Sequence, residues 1–440
     1  MQTLEQLQSG QLTSTKKLAI AAGLTEFPRE ILELAPTLEY LDLSNNFLTE
    51  LPDDFVRLKN LKIAFFSQND FTQFPAVLGA CPNLEMIGFK ACKIAVIPEN
   101  AFPVNLRWLI LTNNQITGLP ASIGQCSRMQ KLMLAGNKLK TLPPELAACH
   151  RLELLRIAAN ELTEFPDWLF TLPRLAWLAL AGNPCSVLPA MSYNLPEIPW
   201  QDLEIAEPLG QGASGVIYKA NWRKDVFNLE NKLVAVKIFK GEVTSDGFPA
   251  DEMQACIAAG PHHNLVPVLG KISRHPDQKT GLILELIPPT YKILGITPSF
   301  ETCTRDHYPE GTVFSLPQLI AIVSGMASVG AHLHARGIMH GDFYPHNILI
   351  NESANPLLGD FGAAVIYDKT DIGQAALLEQ IEVRAFGYLL EDLLDHLDTQ
   401  GANQETVDAF DNLKKACLRE VVSQRPDFAK ICQEIKRVVS

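Results

Sequence analysis

Two carboxylates and one amide carry the chemistry of this sequence. In the stretch Ile338 to Gly362, IMHGDFYPHNILINESANPLLGDFG, Asn347 follows Asp342 by five residues, and Asp360 heads an Asp-Phe-Gly triplet eighteen residues after Asp342. The apolar runs Ile348-Leu349-Ile350 and Leu357-Leu358 lie between them. That pattern predicts a strand-turn-strand hairpin, which would aim three oxygen ligands at one point. A few hard oxygens suit Mg²⁺ carrying the phosphates of its substrate. Phosphoryl transfer then asks of the protein mainly positioning and charge neutralisation.

Upstream elements must place a nucleotide against these oxygens. Gly210, Gly212 and Gly215 form a G-x-G-x-x-G turn in DLEIAEPLGQGASGVIYKA, with Ile217 in the valine-type position after it. Glycines let backbone N–H groups approach phosphate oxygens without a Cβ in the way. The same spacing marks dinucleotide-binding loops, but those lead into a helix. Here Val216-Ile217-Tyr218 leads into a strand and then to Val234-Ala235-Val236-Lys237.

Taken in order, these motifs resemble the protein kinase family. The resemblance implies that Lys237 meets the α- and β-phosphates of ATP. Glu252, in PADEMQACIAAG, is the expected helical carboxylate that holds Lys237, with Asp251 second. Leu282 to Leu286 reads as the strand entering a hinge, where backbone groups near Ala235 and Glu285 would face adenine. Asp342 would orient the acceptor hydroxyl and take its proton, and Asn347 and Asp360 would bind Mg²⁺. His340 is expected to make a structural contact with Phe361, and His332 and His334 have no assigned role. EVRAFGYLLEDLL reads as the buried central helix of the large lobe and Arg425-Pro426 as its late landmark, so the resemblance covers about residues 202 to 440. Residues 287–316 have no clear period and read as an insertion over the cleft mouth or as a surface excursion.

Three departures bear on the substrate. The family's His-Arg-Asp is His340-Gly341-Asp342, which removes the cation that answers phosphorylation of the following segment. Tyr344 replaces the usual lysine beside the γ-phosphate. Only about twenty residues separate Gly362 from Glu382, which stands where the family has Asp, and no Ala-Pro-Glu lies between them, leaving Arg425 without its expected partner. His-Gly-Asp with a short segment also resembles the aminoglycoside and choline phosphotransferases.

The first half repeats itself. Units of LxxLxLxxNxL start at Leu38, Leu61, Leu84, Leu106, Met129, Leu152 and Leu175, with a period of 23, once 22. Each carries a proline fourteen residues on: Pro52, Pro75, Pro98, Pro120, Pro143, Pro166 and Pro189. This is a leucine-rich repeat array, in which each unit buries its leucines only against neighbours. Thr15 to Thr37 reads as an imperfect first repeat behind a polar cap. Asn46, Asn69, Asn114, Asn137, Asn160 and Asn183 should satisfy backbone groups where strands end, with Cys92 a weak substitute. Cys81, Cys126 and Cys149 share one repeat position and read as core.

Alternation along the strands sends Tyr40, Phe65, Trp108, Met133 and Trp177 to the concave face, together with Asp42, Ile63, Met86, Gly88, Ile110, Lys131, Leu154, Arg156 and Ala179. An apolar stripe there reads as a protein-binding surface, with Trp108 and Trp177 its anchors. The competing reading is that it covers part of this same chain, an intramolecular contact between the two domains. A short proline-stiffened connector, 190–200, joins the halves. The order of modules resembles that of plant receptor kinases.

A net charge of −12 argues against nucleic acid or an anionic membrane as the main partner. No eighteen apolar residues run together and the N-terminus has no apolar signal core, so a cytoplasmic protein is expected. Nine cysteines without a CxxC pair fit a reducing compartment.

The expected architecture is an α/β leucine-rich repeat solenoid of about eight units, residues 1–195, followed by an α+β bilobal protein-kinase-like domain, residues 196–440, with its small lobe near 202–286 and its large lobe near 316–440. The expected activity is ATP- and Mg²⁺-dependent transfer of the γ-phosphoryl group to Ser or Thr of a protein recruited by the concave face. The alternatives are a pseudokinase scaffold and a small-molecule phosphotransferase.

Overall fold

Three-residue strands recur wherever the LxL core of a repeat falls. They are β1 (Lys17–Ala19), β2 (Tyr40–Asp42), β3 (Ile63–Phe65), β4 (Met86–Gly88), β5 (Trp108–Ile110), β6 (Lys131–Met133), β7 (Leu154–Arg156) and β8 (Trp177–Ala179), in one parallel sheet in chain order. The computed structural model describes residues 2–186, 195–223, 232–400 and 402–440. Pro189 and residues 190–194 of the expected connector lie outside the described residues. Two compact units form, Met1–Leu175 with Asn183–Cys185, and Ala176–Gly182 with Ser186–Ser440.

In the first unit the middle residue of each strand is buried and the next leucine-type position packs below it. After Pro52, Pro75, Pro120, Pro143 and Pro166 the chain turns into a short 3-10 helix, since proline fixes φ and needs no N–H partner at a helix start. No such helix lies between β4 and β5, the repeat that is one residue short. Asn100 there takes φ +57°. A Cβ on Gly79 would come 2.0 Å from the Asn100 carbonyl oxygen, so this close approach requires glycine.

The asparagine ladder is present. Asn137 donates from Nδ2 to Leu111 O (2.9 Å) and Leu134 O (2.8 Å) and accepts the Ile116 N–H at 3.0 Å. Cys92 bonds only weakly, its Sγ lying 3.4 Å from Phe66 O. Cys81, Cys126 and Cys149 are buried, and burial pushes their thiols up to about 11, 12 and 11. A helix, α1 (Leu4–Gln8), capped by Thr3, precedes β1. Tyr40, Phe65, Trp108 and Met133 are half-buried, and Lys131 sits 4.1 Å over the Trp108 ring. The continuous exposed stripe expected from alternation does not form, because Met86, Leu154, Arg156, Trp177 and Ala179 are all buried.

The second unit starts from a six-stranded sheet, β9 (Glu197–Pro199), β10 (Leu203–Gln211), β11 (Gly215–Trp222), β12 (Lys232–Phe239), β13 (Val268–Ser273) and β14 (Gly281–Glu285), in the order β10-β11-β12-β14-β13-β9. Its core gathers Leu203, Ala220, Trp222, Val234, Val236 and Ile283. Strand alternation sends Ala235 and Lys237, and likewise Leu282 and Leu284, to the opposite face. That face walls a cavity.

Helix α2 (Pro249–Ala259) follows β12. Beyond β15 (Lys292–Ile293) come α3 (Leu316–Ala335), β16 (Ile338–Met339), β17 (Ile348–Ile350), β18 (Pro356–Leu358), β19 (Val365–Ile366), α4 (Ile372–Asp395), α5 (Gln404–Cys417) and α6 (Phe428–Val439). Ser315 and Gln318 cap α3 reciprocally, and Pro317 lies in its first turn as expected. α3 is long and apolar enough to cross a membrane by length and composition. Its Leu319, Ile322, Val323, Met326 and Val329 are buried in this unit's core.

Candidate active site

The predicted hairpin is β17–β18, with Ile348 opposite Leu358 and Ile350 opposite Pro356. Asn347 enters it and Asp360 leaves it, and the Gly359 N–H donates to Asn347 O at 3.0 Å. One local hairpin therefore brings the amide and the second carboxylate side by side. Asp342 joins them because the Asn347 side chain donates from Nδ2 to Asp342 O and to Asp342 Oδ2, both at 2.9 Å. Asp360 takes φ +52°, and its Oδ1 accepts the Gly362 N–H at 3.3 Å.

Asn347 and Asp360 line a cavity of about 750 Å³ together with Gly212, Gly215, Ile217, Ala235, Lys237, Glu252 and Glu285. Gly210 and Asp342 are not among its lining residues. The size and the mixture of apolar walls with a few convergent polar groups are those of a small-ligand site. β10 and β11 pair across the glycine turn, Gly212 N–H donating to Gly215 O at 3.0 Å. A Cβ on Gly215 would lie 2.5 Å from Ile238 O, whereas at Gly210 and Gly212 it would enter open space.

Lys237 and Glu252 form an ion pair, with side chains 13% and 2% exposed. Burial works against the charged lysine, but Glu252 and Asp360 outweigh it and hold the ammonium above its usual range. Burial pushes Glu252 up, and Lys237 offsets this only in part. Asp251, the second choice, turns away: its Oδ2 would lie 2.8 Å from a Cβ on Gly182.

His340 meets the expectation of a structural role, since its ring packs edge-on to Phe361 at 4.9 Å and its Nε2 bonds Gly359 O at 2.9 Å. Glu382 accepts the Gly341 N–H at 2.7 Å and bonds His334 Nε2 at 2.8 Å. It thus ties α4 to the turn that carries Asp342. Arg425 is buried against carbonyls, its Nε donating to Arg419 O and Nη1 to Gln380 O. Burial, with Arg384 nearby, pushes it down to about 9. The segment after Gly362 is short: β19 pairs with β16 and α4 begins at Ile372.

Sequence reasoning missed a second anchor of this turn. Asp306, from the 287–316 stretch, accepts the His346 N–H at 2.7 Å and meets His346 Nδ1 at 2.8 Å. His346 lines the cavity beside Asn347. Burial alone would lower the imidazole, but the Asp306 bond and the charges of Asp306, Asp342 and Asp360 raise it on balance. The same stretch contributes Ile287, Pro289 and Ile293 to the cavity wall, and Arg305 pairs with Glu391 (2.7 Å) and Asp392 on α4. Its first residues wall the cavity, while Ile296, Phe300 and Val313 farther on are exposed. No periodicity or motif marks Asp306.

Trp177 is corrected. The segment Ala176–Gly182 belongs to the second unit. There Trp177 is 1% exposed. It stacks on Tyr344 with ring centroids 4.2 Å apart and on Tyr388 at 5.3 Å. A side chain so covered is no anchor for an outside partner.

Comparison with known proteins matches residues 203–377 to the protein kinase domain, and residues 37–58, 104–162 and 127–184 to leucine rich repeats. The chain is 21% identical over 280 residues to an angiopoietin-1 receptor of Danio rerio, covering 54% of this chain and 25% of that protein. It is 27% identical over 197 residues to the LEAF RUST 10 disease-resistance locus receptor-like protein kinase-like 2.2 of Arabidopsis thaliana, covering 43% and 27% respectively. A serine/threonine-protein kinase of Candida albicans is 26% identical over 170 residues, covering 38% and 22%. The chain spans about a quarter of the length of these curated relatives. It carries leucine-rich repeats through residues 37–184 followed by a protein kinase domain from residue 203.

Proposed function

We propose that this chain transfers the γ-phosphoryl group of ATP to a serine or threonine hydroxyl of a protein. The observation that carries the reading is the formed Lys237–Glu252 pair lining the same cavity as Asn347 and Asp360. The donor set fits Mg²⁺ and nucleotide phosphates: a carboxylate and an amide oxygen at the cavity floor, a held ammonium beside them, and glycines that leave space where side chains would intrude. ATP with Mg²⁺ supplies an electrophilic phosphoryl group whose developing charge needs neutralising.

The chain's own residues do the rest. Asn347 and Asp360 would hold the metal, and Glu252 keeps Lys237 extended toward the phosphates. Asn347 also fixes the Asp342 carboxylate through its amide N–H, so Asp342 is oriented to align an acceptor hydroxyl and take its proton. Leucine-rich repeats mediate protein interactions, and Tyr40, Phe65, Trp108 and Met133 are the residues we assign to a protein partner or substrate. No cysteine is in a disulfide, which supports a reducing, cytoplasmic setting.

Of the two features behind the small-molecule reading, the short segment after Gly362 stands, while Gly341 also has a packing reason. It takes φ +72°, and a Cβ there would lie 2.5 Å from Leu178 O and 2.6 Å from Ala363 O. The test is incubation with Mg²⁺ and γ-labelled ATP, alongside Asp342→Ala and Asp360→Ala, followed by phosphoamino-acid analysis. Label on serine or threonine that both variants lose is the expected result. Nucleotide binding without transfer to any protein or to water would instead favour a pseudokinase scaffold or a small-molecule phosphotransferase lacking its acceptor.

A further inference from the structure

The catalytic turn departs from the kinase pattern at Gly341 and Tyr344, and both residues touch the same short segment. Trp177 stacks nearly parallel on Tyr344, 7° from coplanar, and its Nε1–H donates to Phe343 O at 3.4 Å. Its ring also stacks on Tyr388 of α4. One residue on, Leu178 O occupies the place where a Cβ on Gly341 would be.

The segment's other end meets α2. Gly182 has φ +72°, and a Cβ there would lie 2.8 Å from Asp251 Oδ2 and 2.9 Å from the Phe248 ring. Phe248 is the N-cap residue of α2, and Asp251 precedes Glu252 in its first turn. Six residues, Trp177 to Gly182, therefore touch both elements that carry the candidate catalytic groups: the turn holding Asp342 and Asn347, and the helix holding Glu252.

We propose that Ala176–Gly182 is a built-in positioning element of the kinase site, with Trp177 its positioning residue. Tyr344, in the place of the family's lysine, is the ring that receives it, and Gly341 is small so that Leu178 can approach. The segment falls in the last repeat of the sequence pattern but belongs to the second unit. Removing the stack should loosen the catalytic turn while leaving the nucleotide cavity walls of β11, β12 and β14 in place. The effect belongs to the transfer step rather than to nucleotide affinity. The activity arm rests on the kinase reading above; the exchange arm does not.

The test uses the full chain with Trp177→Ala and Trp177→Phe. Amide hydrogen exchange should rise at least tenfold over residues 341–347 in Trp177→Ala, with α3 unchanged and Trp177→Phe close to wild type. In label transfer, kcat should fall at least tenfold with KM for ATP within twofold, and Trp177→Phe should recover most of it. If Trp177→Ala folds poorly, Tyr344→Leu removes the same stack from the other side and is read identically. Unchanged exchange over 341–347 overturns the proposal, as does an equal rise in α3, or a raised KM at constant kcat. If wild type transfers no label, the kinase reading fails, and the exchange comparison alone decides this one.

Discussion

Replacing Glu252 with Gln keeps the side chain's shape and removes one charge from a buried pair. Two unit charges ~4 Å apart between centres attract by about 4 kcal/mol at an effective dielectric of ~20. Asp360 also acts on Lys237 and remains in the variant, so part of that attraction survives. The neutral Gln also escapes the burial penalty that pushes Glu252 up, so a net loss of about 2 kcal/mol is expected, less than breaking a fully compensated buried pair costs. Two compact units need not unfold together. The loss is best read as urea-dependent exchange of amides in β12 and α2, which report the second unit. kcat/KM for ATP should fall by at least a hundredfold, because the lysine is no longer held toward the phosphates. A loss below 1 kcal/mol together with unchanged ATP kinetics would refute the view that this pair is what positions Lys237.

Asn137→Ala removes three hydrogen bonds but strands only the Ile116 N–H, since Leu111 O still accepts from Asn114 Nδ2 and Leu134 O from Asn160 Nδ2, so the first unit should lose about 2 kcal/mol in urea unfolding. His262 is pushed down to about 4 by burial, with His263, His332 and Arg336 adding repulsion, and its neutral Nδ1 accepts the Asn264 N–H. A histidine depressed on folding stabilises above its unfolded value of 6.5 and loses that contribution as pH falls through about 4. Wild type should therefore lose about 1 kcal/mol between those limits, discounted for partial exposure, that His262→Gln does not lose. Gly341→Ala adds a Cβ against two carbonyl oxygens at a positive φ, and a fall of several degrees in the melting temperature is expected, with transfer reduced in the same variant.

The parts of the site that came from local sequence were readable because local pattern builds them. Ile348–Ile350 and Leu357–Leu358 are apolar runs at hairpin spacing, and the hairpin alone brings Asn347 to Asp360. Val234-Ala235-Val236-Lys237 alternates, so a buried valine pair dictates that Lys237 faces the other way. The repeat ladder was equally legible, since each Asn bonds backbone groups within its own and the adjoining turns. The groups that escaped are joined across the chain. Asp306 and His346 are forty residues apart and share no periodic pattern. Trp177 lies 167 residues before Tyr344.

The concave-face residues show why alternation says less than it first suggests. A period of two fixes which side of a strand a residue takes, and the burial of β2, β3, β5 and β6 follows it. It does not fix what lies on that side. Trp177 and Tyr40 hold equivalent positions in their repeats, yet one is sealed between two tyrosines and the other stands half-buried beside Phe65. The turn that carries Asp342 offers the complementary lesson. Gly341 and Tyr344, compared with a family pattern, register as a lost cation at each position. Beside Leu178 O and the Trp177 ring they are the small residue and the flat residue that this packing demands. A substitution that looks like loss in one domain's pattern is a fit to a neighbour that the pattern does not contain.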